Sequence, residues 1–338
     1  MAAKERIEAE EAREQPREHP KEPGWSDVKS DVAKTLIDAM QKGETPWQKP
    51  WSSQSMRPRN PVTGNAYKGI NRILLSLAGG NGLWVTYRQA QAQGWQVRKG
   101  EKGTMIVKVV ELDPAKAQGE APPVSTKDAN ARRNVILRRY YVFGAHQIEG
   151  MPELEPPGEL DFHPVDKAEA VLKAMQERTG LKIKHGGGEA CYVPGLDEVR
   201  LPAKKAFKSV YDYYAVALHE CAHSSLAKHR LDRRDALGKR WGDEAYALEE
   251  LRAEMASAIM ASDMGIQKNE EQRAKHMASH AGYLQSWIKA LSKDPSAIFA
   301  AAKDAERITE YILGLERQST AMEEHKEWVA EYDAAPAR

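Results

Sequence analysis

His219-Glu220-Cys221-Ala222-His223 is the stretch of this sequence best equipped for chemistry. On a helix, residues four apart share a face, so both imidazoles can reach one metal ion with Glu220 beside them as general base. Catalytic zinc usually takes three protein ligands and keeps a fourth position for water, and His, His and Glu form a known set. A second helical run carries Glu249, Glu250 and Glu254, and the last two, four apart, lie on one face. Glu250 is therefore assigned as the third ligand. Glu254, one turn on, is placed to accept the free N–H of a ligating histidine. Glu249 is the competing ligand, but it points about 100° away around the helix and is expected to face solvent. An ion held this way lowers the pKa of water and polarises a carbonyl while Glu220 takes the proton, which is the chemistry of amide hydrolysis. Tyr192, Tyr213, Tyr214 and His229 are the candidates for stabilising an oxyanion, with Tyr192 and Tyr214 carried forward as oxyanion or substrate contacts. Zinc, one per chain, is the expected ion; the same donors would accept manganese or cobalt.

These residues need helices to hold them. Between positions 206 and 227, Phe207, Val210, Tyr214, Ala217, Leu218, Cys221 and Ala222 follow the spacing of an amphipathic helix with a buried stripe. Leu248, Leu251, Met255, Ala258 and Ile259 mark the second helix. Cys221 falls on the side opposite His219 and is expected to pack in the core. Further helices are predicted from Ser26 to Gly43, over 165–179, 278–291 and 297–315. Strands are predicted over 105–110 and 135–143, a long hairpin whose connection, 113–134, is polar and holds Pro122-Pro123. Short strands near 181–184, 190–193 and 198–201 follow, the last two expected at the sheet edge above the metal, where a peptide could add as another strand.

A chain of 338 residues exceeds what one hydrophobic core normally serves. The expected fold is α+β in two domains: a lead over 1–24 too polar to fold, an N-terminal α+β domain over 25–150, a Pro-rich linker over 151–162, a metal-binding domain over 163–315 and a charged tail over 316–338. Two cysteines give no disulfide framework and suit a reducing compartment. No apolar stretch is long enough to cross a membrane and no signal core opens the chain, so a cytoplasmic location without membrane partners is expected.

The net charge is +1, but residues 25–112 hold thirteen Lys and Arg against six Asp and Glu, and five of the eight tryptophans precede residue 100. Trp47, Lys49 and Trp51 are followed by Arg57, Arg59, Tyr67, Lys68, Asn71 and Arg72, then Trp84 and Arg88, then Lys99 and Lys102. Interleaved aromatic and basic residues suit a groove for single-stranded nucleic acid, with rings for bases and cations for phosphates. Taken singly, each tryptophan is more often a core residue and each lysine a solvated cation.

The stretches Gly43 to Trp51, Asn60-Pro61-Val62-Thr63-Gly64, Tyr67-Lys68-Gly69-Ile70-Asn71, Trp84 to Ala90 and Lys99 to Gly103 resemble the N-terminal domain of the ArdC family of plasmid antirestriction proteins. Tyr192-Val193-Pro194, His219 to His223, Tyr246 to Glu254 and Tyr283 to Trp287 resemble its C-terminal half. The resemblance covers roughly residues 25–315. It implies a domain that binds single-stranded DNA with little sequence preference, joined to a zincin-like metallopeptidase domain, on mobile DNA that enters a cell and escapes restriction. It also implies His219, His223 and Glu250 as ligands and Glu220 as base. This chain departs from the family in having Ser224-Ser225 where an aromatic residue and a glycine are common, and Cys221 where leucine is usual. These changes leave the ligands intact and alter the pocket wall.

Three functions fit these residues. In the first, a zinc peptidase is brought to DNA and cuts a host protein there. In the second, the protein shields entering strands and its zinc site is structural and non-catalytic. In the third, the zincin fold binds a host protein without cutting it. The combined strand-binding and metallopeptidase architecture ranks first, with protection of DNA expected to follow from strand binding.

Overall fold

The computed structural model describes residues 25–44, 57–80, 82–111, 135–152, 163–233, 244–266 and 281–334. The polar lead, the connection over 113–134, most of the expected linker and Trp47, Lys49 and Trp51 lie outside the described residues. The fold is a mixture of helix and strand, as expected.

The N-terminal half opens with α1 (Trp25–Gln41), whose Val28, Val32, Leu36 and Met40 recur every fourth residue and are buried. Asn60 shapes the turn that follows: its Oδ1 accepts from the backbone N–H groups of Val62 (3.0 Å) and Thr63 (3.2 Å), and its Nδ2 donates to Gln89 Oε1 (2.9 Å). α2 (Ile70–Ala78) leads to β1 (Trp84–Thr86) and α3 (Tyr87–Ala92). The step from β1 to α3 is a capping box, in which Thr86 Oγ1 accepts from Gln89 N and Thr86 N donates to Gln89 Oε1. β2 (Gln96–Val97) pairs with β5 (Ile148–Glu149). The predicted hairpin is present as β3 (Thr104–Glu111) against β4 (Val135–Gly144), antiparallel from Thr104↔Val142 to Glu111↔Val135, with β1 on the other side of β4.

In the C-terminal half, α4 (Pro164–Thr179) has proline in its first turn and ends at Gly180, whose left-handed φ of 73° suits glycine. β6 (Lys182–His185) runs parallel to β8 (Glu198–Leu201), and β7 (Cys191–Val193) runs antiparallel to it. Of the two segments expected at the sheet edge, only β7 lies there; β8 is central because it has the more buried side chains and takes a partner on each side. α5 (Val210–Ser224) packs on β7 and β8, capped by Ser209 Oγ, which accepts from Asp212 N (3.1 Å). α6 (Glu244–Asp263), α7 (Ala281–Lys293) and α8 (Ala297–Ala334) complete the bundle. α8 runs well past the predicted end at 315, since Glu316 is buried and pairs with Lys167 of α4.

One apolar core runs through both halves, from Val28 and Leu36 of α1 through Ile73 and Val107 to Leu218, Leu251, Trp287 and Ile308. Ion pairs reinforce it. Arg72, only 2% exposed, makes a bidentate pair with Asp263 at the end of α6, Arg57 and the Gly69 N–H reach Glu306, and Lys68 Nζ reaches Glu310 Oε1 (2.6 Å) on α8. Past α5, the fully buried Arg230 ties the β7–β8 turn to the end of the helix, donating to Asp197 Oδ1 (2.6 Å) and Oδ2 (2.8 Å) and to Ser224 O (3.1 Å).

Partial burial acts to raise the Asp197 pKa, but hydrogen bonds from Arg230 and Tyr192 outweigh it and hold the carboxyl below its ordinary value. The stabilisation is therefore complete above the unfolded value of about 3.9 and is lost as pH falls through the lower folded value. Asn tolerates the positive φ of 48° at this position. Asp197→Asn is expected to lose about 1 kcal/mol at pH 7, the size of one partly solvent-screened pair. The gap should close in strong acid, and urea unfolding at both pH values measures it. A gap that is equally large in acid contradicts the assignment.

Candidate metal centre

α5 and α6 cross so that His219 and His223, one turn apart on α5, face Glu250 on α6. His219 Nε2 lies 3.4 Å from Glu250 Oε2, His223 Nε2 lies 3.4 Å from Glu250 Oε1, and the two Nε2 atoms are 3.0 Å apart. Behind each ring stands another carboxylate: Glu254 Oε2 is 3.4 Å from His219 Nδ1, and Glu249 Oε1 is 3.4 Å from His223 Nδ1. In the neutral form of each ring, an Nδ1 proton directed at its acid leaves the Nε2 lone pair turned inward, the arrangement that takes a cation. Two lone pairs and a carboxylate aimed at one point repel unless a cation lies between them. Tetrahedral zinc with bonds of about 2.0–2.2 Å sets its donors roughly 3.3–3.6 Å apart; each imidazole meets a different oxygen of Glu250 at 3.4 Å, and one ligand atom from each of the three residues lies within 4.8 Å of the others. The residues therefore fit a divalent ion.

The electrostatics point the same way. Burial acts to lower the His219 pKa, yet hydrogen bonds to Glu250 and Glu254 raise it well above the usual imidazole value. Burial acts to raise the Glu250 pKa, and the hydrogen bonds from His219 and His223 hold it far below the carboxylate range. Carboxylates that stabilise a positive charge on the imidazoles this strongly stabilise a divalent cation for the same reason, so protons on the rings and metal compete for the site. Glu220 is buried beside His219, and its charge acts on that ring.

Glu249 does not face solvent as expected. It is 1% exposed, and Arg233 clasps it with Nη1 to Oε2 (2.9 Å) and Nη2 to Oε1 (3.0 Å). Ser225 Oγ in turn accepts from Arg233 Nε (3.2 Å) and Nη2 (2.9 Å), so a chain Ser225–Arg233–Glu249–His223 backs the second ligand. α6 is packed on several sides, and a buried acid there must find a counter-charge. Ser225 is one of the two serines that depart from the family pattern.

The oxyanion candidates have other partners. Tyr192 OH donates to Asp197 Oδ1 (2.9 Å) and Tyr214 OH to Glu169 Oε1 (2.7 Å), while Tyr213 OH meets His185 Nε2 (2.9 Å) and His229 Nε2 lies 3.3 Å from Asp197. Partial burial and the Asp197 hydrogen bond push the Tyr192 hydroxyl up to about 12. The tyrosine beside the ligands is Tyr246, whose hydroxyl hydrogen-bonds Glu250 and Tyr283. It stands four residues before Glu250, a spacing visible in the sequence.

The residues expected to contact DNA divide. Trp84 is 1% exposed, packed with Leu75, Ile106 and Val142 and edge-on to His146, so its ring cannot receive a base. Asn71 pairs through both amide atoms with the Val107 backbone (2.7 and 2.8 Å), and Tyr67 OH donates to Trp84 O (3.3 Å). Arg57, Lys68 and Arg72 are engaged by acids of α6 and α8 as described above. Arg59 is partly buried, its backbone bridging Ala66 and Leu83. Arg88, Lys99 and Lys102 are exposed.

Residues 26–143 match the profile of a family described as the N-terminal domain of anti-restriction factor ArdC, and residues 168–304 match a zincin-like metallopeptidase family. The chain is similar to the crystal structure of an antirestriction ArdC protein from plasmid R388, with a TM-score of 0.67 to its metal-free form at 31% identity and 0.65 to its Mn(II)-bound form at 30%. Each comparison covers 86% of this chain and 98% of that one. It is 42% identical over 299 residues to a DNA primase TraC of Escherichia coli, covering 85% of this chain and 20% of that protein. A second TraC of Escherichia coli is 41% identical, covering 90% and 30%. The chain thus spans less than a third of either TraC. An uncharacterized protein y4eC of Sinorhizobium fredii (strain NBRC 101917 / NGR234) is 36% identical, covering 85% of this chain and 92% of that protein.

Glu249→Gln and Glu254→Gln remove no ligand but loosen a ring, so each should weaken Mn(II) or Zn(II) binding about 10- to 100-fold in calorimetric titration. Arg233→Ala strands a buried carboxylate and should lower the unfolding free energy by about 3–5 kcal/mol. Unaltered metal affinity in Glu249→Gln would remove its orienting role.

Proposed function

This chain belongs to the ArdC family of antirestriction proteins, and from that membership we propose a protein of mobile DNA that binds single strands and carries a metal-dependent peptidase site. In this reading the N-terminal half grips unpaired DNA, and the zincin-like half holds one divalent ion between His219, His223 and Glu250. The observation that supports it best is the convergence of those three donors, each imidazole backed by its own carboxylate. Zinc is the proposed ion, in keeping with the zincin-like family. The Mn(II)-bound R388 ArdC structure supports a site that also accepts manganese.

A divalent ion held there supplies Lewis acidity, polarising a peptide carbonyl and making water acidic enough to lose a proton near neutral pH. Glu220 is the base that takes that proton and passes it to the departing amine. Glu254 and Glu249 keep both rings turned so that Nε2 faces the centre. Tyr246, hydrogen-bonded to Glu250, restrains the third ligand. The peptide substrate is a protein met at the DNA. Protection of entering strands follows from their occupancy, because a gripped single strand is withheld from other enzymes. Affinity then depends on phosphate neutralisation, falls with salt and varies little with sequence. Among the described residues, no helix is long and apolar enough to cross a membrane.

Wild type and Glu220→Gln, each loaded with zinc, test the enzymatic part against a mixed peptide library read by mass spectrometry. The variant should keep its metal, its strand binding and its protection of incoming DNA in cells, and lose peptide hydrolysis by at least about 100-fold. A wild type that cleaves nothing sinks the peptidase, and a variant that no longer protects overturns protection by strand occupancy.

A further inference from the structure

With Trp84, Asn71, Arg57 and Arg72 turned to internal work and Lys68 paired with Glu310 at the surface, the described residues of the N-terminal half still present an aromatic and basic surface. Tyr87 is 48% and Tyr141 is 55% exposed, far more than a tyrosine in a packed sheet. The register explains why they are neighbours. β1 pairs with β4 as far as Thr86↔Val142, where β4 continues back to Tyr141 and the chain of β1 passes into Tyr87, the first residue of α3; Tyr141 and Phe143 share one face of β4. Phe143, two residues along that face, meets Tyr87 edge-on, with ring centroids 6.4 Å apart at 67°. On the other side of β4 comes Gly103, just ahead of β3. A Cβ at Gly103 would stand 3.0 Å from Tyr141 Cβ and 3.2 Å from Phe143 Cζ, so only glycine lets the backbone there pack this closely against the two residues.

Cations are close by in sequence. Arg88 is next to Tyr87, and Lys102 to Gly103, while Lys99 lies in the turn before them; all three are exposed. Among the described residues of these segments, Glu101 accepts from Gln147 Nε2 (2.8 Å) and Glu149 lies 3.6 Å from Arg98 Nε, so Arg88, Arg98, Lys99 and Lys102 outnumber the acids. The surface is therefore a short row of rings bordered by positive charge.

We infer that Tyr87 and Tyr141, with the partly buried Phe143 bracing Tyr87, form a stacking ledge for the bases of single-stranded DNA, with Arg88, Lys99 and Lys102 holding its phosphates. This rests on the reading that the chain binds single strands, and it names where. A ring can stack only on a base whose own faces are free, so the ledge takes unpaired strands and rejects duplex. It is tolerant of sequence because every base has a π-face.

The test uses the full chain and a labelled oligothymidylate, with binding followed by fluorescence anisotropy across a salt series. Tyr141→Ala should weaken binding about 5- to 100-fold without changing the salt dependence, since it removes stacking and no charge. Tyr141→Phe, which keeps the ring, should recover most of that loss. Lys102→Gln should weaken binding and also reduce the slope of log affinity against log salt by about 0.7, the share of one phosphate contact on a single strand. Circular dichroism and bound metal report that each variant stays folded. If wild type binds the oligonucleotide and both Tyr87→Ala and Tyr141→Ala bind it equally well, the ledge is wrong while strand binding stands. If wild type fails to bind at low salt, the strand-binding reading falls and the ledge with it. Tighter binding of oligouridylate than of oligothymidylate overturns the assignment to DNA.

Discussion

A carboxylate taken out of water must be met by positive charge or by hydrogen-bond donors, and α6 buries three of them between positions 249 and 254. Their partners come from elsewhere in the chain. Glu250 and Glu254 are met by the imidazoles of α5, and Glu249 by His223 and by Arg233 beyond the end of that helix. At its far end the same helix presents Asp263 to Arg72 of the N-terminal half. One helix thus fixes Glu250 opposite the two imidazoles, the charges behind them and the docking of the N-terminal half.

Much of this was legible in the residues. The fourfold spacing of Val28, Val32, Leu36 and Met40 gives α1, the run of β-branched and aromatic residues after Val135 gives β4, and His219 with His223 and Glu250 with Glu254 give two helix faces that the structure brings together. What could not be read depended on partners distant in sequence. Glu249 was assigned to solvent on the premise that a helix has one buried stripe, whereas α6 is packed against α5, α7 and α8. Arg233 lies in a turn with no periodicity to flag it. Arg72 and Asp263 are 191 positions apart.

The basic composition of the N-terminal half had two meanings that composition cannot separate. Arg57, Lys68 and Arg72 answer the acids of α6 and α8, whereas Arg88, Lys99 and Lys102 answer nothing buried. Trp84 is a core ring, and among the described residues of this half the exposed rings are tyrosines. Residue type alone does not separate the two uses, because tryptophan's large face serves a core as readily as a base.

The apolar interior that passes without a break from α1 and α2 into α6 and α8 bears on inheritance. A recombination event that severed the halves would leave two fragments, each with a greasy face open to water and with orphaned charges at Arg72, Asp263 and Glu306. Neither fragment would be a sound protein. In this chain each half therefore depends on the other for part of its interior and for the partners of its buried charges.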